Sequence, residues 1–130
     1  MVQLWKTFCL AILEQSCVIW DSGLTKENEI DLERTQKTFC KLVLEEKYQT
    51  YEQALDNLGL ESLKSRRKHL TLSFAKRSLG DGLLRDLFPK RVKPPNMKTR
   101  KSEPFKVNHA NTEQYRNSPI LTMQRMLNSI

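Results

Sequence analysis

The side chains best suited to chemistry in this chain are basic. Lys64, Lys68 and Lys76 recur along a segment of helical periodicity, and Lys90, Arg91 and Lys93 form a K-R-x-K tetrad just after Pro89. Lysines and arginines at this density suit the phosphates of a nucleic-acid backbone, because each phosphate they neutralise releases condensed counterions. No residue pattern addresses base edges, so the expected contact is sequence-nonspecific and salt-sensitive. The tetrad Lys90-Arg91-Val92-Lys93, followed by Lys98-Thr99-Arg100-Lys101, also has the form of a short nuclear localisation signal, and equally that of a solvated basic linker. Arg66 and Arg67 are assigned differently. They fall beside a Leu63-Leu70-Phe74 line on their helix, and arginines at a core edge fork onto carboxylates, here Glu33 or Asp56. They are expected to be structural, which leaves the three lysines to meet phosphate.

Other chemistries find no residues. There is no glycine-rich phosphate loop, no serine or cysteine nucleophile beside a base, and no adjacent aspartate pair to hold two metals. Glu27, Glu29, Asp31 and Glu33 crowd the start of a helix, where its dipole explains them. Cys9, Cys17 and Cys40 cannot all pair and show no C-x-x-C spacing, and His69 and His109 stand far apart. No disulfide framework, metal, cofactor or small-molecule substrate is expected, and a reducing intracellular compartment, nuclear or cytoplasmic, fits best. The apolar run Phe8–Leu13 is six residues long. That is short of a signal core and of the roughly 18 residues that span a bilayer, so no membrane association is expected.

The chain of 130 residues carries a net charge of +7, unevenly distributed. Residues 1–60 hold 6 Lys/Arg against 10 Asp/Glu, residues 61–101 hold 13 against 3, and residues 102–130 hold 3 against 2. An acidic body is followed by a basic block, and the block contains every candidate phosphate contact named above.

The elements that must position these residues read as helices. Apolar residues Trp5, Phe8, Cys9, Ile12, Ile19 and Trp20 predict one amphipathic helix over Leu4–Trp20, ended by Asp21-Ser22-Gly23. Thr25 is an N-cap for a second helix running to about Leu44, with a stripe of Leu32, Gln36, Phe39 and Val43 and a basic outer row of Arg34, Lys37 and Lys41. Thr50-x-x-Gln53 is a capping box for a short third helix that stops at Gly59, and Ser62 caps a fourth running to about Leu79. Gly80-Asp81-Gly82 and a turn at residues 83–88 follow. Residues 89–104 hold four prolines among clustered basic residues, with Val92 and Met97 as the only aliphatic side chains, a composition that predicts an extended linker. Ile120, Met123, Met126 and Leu127 after Pro119 predict a short last helix, docked back or loose. The expected class is all-α: a bundle of about four helices in 1–88, a basic linker in 89–111 and a short helix in 112–130.

Several of these segments also occur in a recognisable order: Leu4-Trp5-Lys6-Thr7-Phe8, Leu13-Glu14-Gln15-Ser16-Cys17-Val18-Ile19-Trp20, Leu24-Thr25, Leu32-Glu33-Arg34-Thr35-Gln36-Lys37-Thr38-Phe39, the stretch from Tyr48 to Arg67, Asp86-Leu87-Phe88-Pro89, Asn111–Ser118 and Met123–Asn128. In this order and spacing they resemble the region that follows the palm in reverse transcriptases of jockey-like non-LTR retrotransposons. The resemblance spans nearly the whole chain. It implies a helical thumb-like region and C-terminal extension that grip the template and primer duplex beside the palm. The departures are that fingers, palm and catalytic aspartates are absent, that the chain starts with Met1 where the family runs on, and that Leu127 stands before Asn128 where many family endings carry Trp. The expected function is therefore that of a truncated RNA-directed DNA polymerase fragment without catalysis, with residual RNA or DNA backbone binding. The alternatives are an inert remnant, or an interaction module in which the aromatic face of the first helix, freed from a missing palm, binds a partner or a second copy.

Overall fold

The structure, a computed structural model, describes residues 1–80, 82–92 and 103–130. It is all-α: every regular element among the described residues is helical, and the one extended pairing is an isolated antiparallel bridge between Lys90 and Phe105. The chain divides into two compact units, Met1–Leu70 and Thr71–Ile130. The sequence reading places boundaries at residues 88 and 111; the division into compact units falls after Leu70, inside a helix.

The first unit opens with α1 (Val2–Glu14) and α2 (Cys17–Gly23), set at 44° to each other. The expected single helix is broken because Ser16 takes a left-handed conformation at φ 55°. The carbonyl of Gln15, freed by the break, accepts a 2.7 Å bond from the Trp20 indole N–H. The inward face also differs from expectation. Residues Trp5–Cys9 form a π turn, whose extra residue per turn brings Leu10 beneath Trp5 and rotates Phe8 and Ile12 outward. Trp5, Leu10 and Leu63 form the core, with Cys9, Leu13, Leu32, Phe39 and Leu60 packed on it. Burial of each large side chain there contributes on the order of 2 kcal/mol.

Helix α3 (Lys26–Leu44) starts on Thr25, whose hydroxyl accepts from the Asn28 amide, and carries Glu27 and Glu29 in its first turn. Its inward stripe is as the spacing predicts: Gln36 and Cys40 are buried, and Phe39 stacks on Trp5 with ring centroids 4.2 Å apart. Helix α4 (Tyr51–Leu58) starts on Thr50, which accepts from the Gln53 amide. It stops at Gly59, whose φ of 60° suits glycine and allows the Leu60 amide to reach the Leu55 carbonyl.

Helix α5 (Leu63–Gly80) begins in the first unit and ends in the second. Its buried residues are Leu63, Arg67, Thr71, Ala75 and Ser78, whereas Leu70 and Phe74 remain more than a third exposed, so the expected Leu63-Leu70-Phe74 stripe is not the buried one. Leu63 in the core and Arg67 facing Asp21 set the rotation of the helix. In the second unit Thr71, Ala75 and Ser78 make the buried face of the helix, at steps of four and three residues.

In the second unit a short turn at Arg85–Leu87 leads to buried Phe88. Residues 89–91 then pair with 104–106: the Arg91 amide donates to the Pro104 carbonyl and the Lys106 amide to the Pro89 carbonyl. The ends of the expected linker are thus ordered by each other, and the proline carbonyls accept although proline nitrogens cannot donate. Thr112 caps α6 (Glu113–Arg116), and Pro119 opens α7 (Pro119–Asn128), where its fixed φ suits a first helical position. Helix α7 docks: Leu121, Met123 and Leu127 are buried, the Gln124 amide donates to the Leu87 carbonyl at 2.8 Å, and the Asn128 side chain both donates to and accepts from the Phe105 backbone at 3.1 and 3.0 Å.

Candidate nucleic-acid interface

The residues of the Leu32–Gln36 run that stand out by type serve the fold of the first unit. Glu33 accepts from the Tyr51 hydroxyl at 2.6 Å with one oxygen and from the Lys64 amide at 2.8 Å with the other, so one carboxylate ties α4 to the first turn of α5. Buried Gln36, one turn further on, donates to the Glu61 carbonyl at 2.8 Å and to the Tyr51 oxygen at 3.3 Å. Burial, and then the Glu33 carboxylate beside it, push the Tyr51 hydroxyl well above its ordinary range. Three helices of the first unit are joined at this point.

Arg66 and Arg67 point into this unit. Arg66 forks onto Glu14, with its Nη2 at 3.0 Å from one carboxylate oxygen and its Nε on the other, a bond that raises the guanidinium pKa. Arg67 is 1% exposed, bonds Asp21 at 2.7 Å and lies over the Trp20 ring. The partners are Glu14 and Asp21, not Glu33 or Asp56 as the sequence suggests; the bend between α1 and α2 brings these two carboxylates to α5, a juxtaposition that spacing along a straight helix does not contain.

Lys64, Lys68 and Lys76 are all exposed. Lys64 is held, its Nζ 3.2 Å from Glu29, whereas Lys68 and Lys76 have no ion-pair partner among the described residues. The basic outer row of α3 is engaged as well. Arg34 pairs with Asp31, and the Lys37 and Lys41 amines lie 5.1 and 5.5 Å from the Tyr51 and Tyr48 ring centres, within cation–π range.

In the second unit Lys90 and Arg91 lie on the short paired segment, and Lys93, Lys98, Arg100 and Lys101 lie outside the described residues. Arg91 meets Glu103 at a long 3.9 Å with both side chains more than half exposed. Lys106, on the opposite strand of the bridge, is exposed and joins Lys90 and Arg91 around an open hollow of about 710 Å³. Sequence reasoning missed Lys106. The signal was the alternation Phe105-Lys106-Val107 after Pro104, in which the apolar residues are half-buried and the lysine faces solvent.

Among the described residues no three His, Cys, Asp or Glu side chains converge as metal ligands. No single helix there is long and apolar enough to cross a membrane; α1 and α2 meet that composition only as a bent pair. Among the described residues the cations Lys68, Lys76, Lys90 and Lys106 are exposed. No family model matches the chain, and neither does any curated protein or solved structure.

Proposed function

We propose that this chain corresponds to the helical post-palm region of a jockey-like non-LTR reverse transcriptase and that it binds RNA or DNA backbone without sequence preference. One observation carries the binding: residues 71–130 hold 12 Lys/Arg against 4 Asp/Glu, and Lys76, Lys90 and Lys106 there are exposed with no ion-pair partner among the described residues. Unpaired exposed cations keep their full charge for a ligand, and a polyphosphate offers a matching row. Lys68 in the first unit has the same property. The 130 residues contain no adjacent aspartate pair, so the reading attributes no nucleotidyl transfer to them. A second reading, an apolar interaction surface on the first unit, is favoured by the exposure of Leu4, Phe8 and Ile12.

The test is binding of the purified chain to a duplex, an RNA–DNA hybrid and a single strand across a salt series, with circular dichroism on the same samples. The expected result is a helical protein whose log affinity falls with log salt by about 0.7–0.9 per phosphate contact. Replacing Lys76, Lys90 and Lys106 together by alanine lowers that slope, and a grip of thumb type favours the hybrid over the single strand. A helical chain that binds none of the three at low salt overturns the proposal and leaves an inert or protein-binding remnant.

A further inference from the structure

Outward rotation of Phe8 and Ile12 leaves an apolar row on α1. Leu4, Phe8 and Ile12 follow one another at four-residue steps and are 59%, 62% and 73% exposed. Beside the row runs a trough between the N-terminal helices and α3. One hollow of about 700 Å³ is floored by Trp5, Phe39 and Leu42. A second of about 480 Å³ is floored by Ile12, Leu13, Trp20 and Leu24, and the two share Asp31 and Thr35 on α3. From Asn28 to Leu42 the wall rises about 21 Å at ~1.5 Å per residue, the length of roughly four helical turns.

Two features say what covers this face. The rim carries Asp31 and Arg34, a 3.0 Å ion pair whose side chains are 63% and 70% exposed, and a pair of opposite charges on one rim is complementary to its own copy under a two-fold axis. Residues 1–70 hold 10 Lys/Arg against 11 Asp/Glu, so this unit approaches another like itself without the repulsion that the basic block of residues 71–130 would impose.

We propose that the trough of the first unit receives the Leu4-Phe8-Ile12 row of a second copy of this chain, forming a two-fold dimer. Each copy gives its row and takes the other's. Asp31 of each copy exchanges partners with Arg34 of the other. A face of this size is a small interface, which places the dimer among weak associations that half-dissociate at roughly 10–100 µM.

Sedimentation equilibrium of the full chain from about 1 to 200 µM tests it. The expected result is a monomer–dimer equilibrium in which Phe8→Glu weakens association at least about tenfold, as loss of a central aromatic anchor does, while the helical signal is unchanged. Arg34→Asp weakens association through facing aspartates, and the swap Asp31→Arg/Arg34→Asp restores it, a rescue that only a self-complementary rim gives. These readouts are independent of nucleic-acid binding. A monomer at every concentration overturns the proposal, as does a dimer that Phe8→Glu and Arg34→Asp both leave intact. Flotation of a monomer on phosphatidylcholine vesicles, abolished by Phe8→Glu, also overturns it and gives the row to lipid.

Discussion

In residues 1–70 the basic side chains nearest the core each face a carboxylate: Arg66 meets Glu14, Arg67 meets Asp21, and at the surface Lys64 meets Glu29 and Arg34 meets Asp31. In residues 71–130 the described residues show a single ion pair, Arg91 to Glu103 at 3.9 Å, and the structure is held by amides instead. Asn128 clamps the Phe105 backbone and Gln124 takes the Leu87 carbonyl. The two units share one device, a buried glutamine that donates to the carbonyl of a loop at 2.8 Å, Gln36 to Glu61 and Gln124 to Leu87. They differ in what charge does. In the first unit it joins helices through carboxylates; in the second the Arg125 guanidinium donates to the Leu121 and Arg116 carbonyls, and Lys76, Lys90 and Lys106 meet no carboxylate among the described residues.

The largest way to break this contrast is Arg67→Ala. Asp21 would lose the partner that a bent N-terminus was arranged to reach, and breaking a buried pair costs roughly 3 kcal/mol. Urea unfolding followed by circular dichroism should show the loss, with nucleic-acid affinity of the folded fraction unchanged. A variant as stable as the parent would mean that charge in the first unit is as dispensable to the fold as in the second.

Tyr51→Phe comes next, at about 1.5 kcal/mol for a hydrogen bond to a charged acceptor. It also carries the pH dependence. The hydroxyl titrates above its ordinary 10.0 because of burial and then of Glu33, and burial likewise lifts Cys17 and Cys40 above 9.0. A group whose pKa is raised on folding contributes fully below its unfolded value and loses that contribution as pH rises past it, because the unfolded chain ionises first. Stability should therefore hold from about pH 7 to 8.5 and decline above, the cysteines acting first and the tyrosine from about pH 10. Tyr51→Phe should flatten the later part of the decline. An undiminished decline would detach Tyr51 from it.

How much of this was legible follows from which residues act locally. Thr25, Thr50, Gly59 and Ser62 do their work within four residues, so the starts and stops of α3 to α5 could be read from spacing, whereas the one-turn α6 capped by Thr112 was not foreseen. The Leu32-Gln36-Phe39 stripe was legible for the same reason. What failed was rotation. The π turn at Trp5–Cys9 and the left-handed Ser16 each shift the register of everything beyond them, and neither carries a glycine or proline to announce it. From those shifts follow the exposed Phe8 and Ile12 and the pairing of Arg66 and Arg67 with Glu14 and Asp21. The clamp of Asn128 on Phe105 joins residues 23 apart in sequence and was invisible to any periodicity. At the candidate interface the lysines could be named from composition, but that Lys64 is already paired and Lys68 is not depends on where Glu29 lies.

Asn128→Ala removes two hydrogen bonds and should cost about 1 kcal/mol, the lower end of their combined net worth, with the effect confined to the second unit. Hydrogen exchange is the suitable probe. The amide of Phe105, which donates to Asn128, should exchange faster, while those of α3 and α4 keep their protection. Faster exchange in α3 would show that the two units unfold together.

The smallest effect on stability separates the two lysines that sequence treats alike. Lys64 and Lys68 are one helical turn apart and both exposed, but of the two only Lys64 touches a carboxylate among the described residues. A surface pair of this kind is worth about 0–1 kcal/mol, so Lys64→Ala should shift the urea midpoint barely or not at all, and Lys68→Ala not at all. Their effects on binding should run the other way. A lysine that already neutralises Glu29 releases no net charge to a phosphate without giving up that contact, whereas Lys68 has nothing to give up. In a salt series Lys68→Ala should lower the slope by close to one phosphate contact and Lys64→Ala by less. Equal reductions would show that the Glu29 pair opens on binding, and that charge in the first unit is held less firmly than its ion pairs imply.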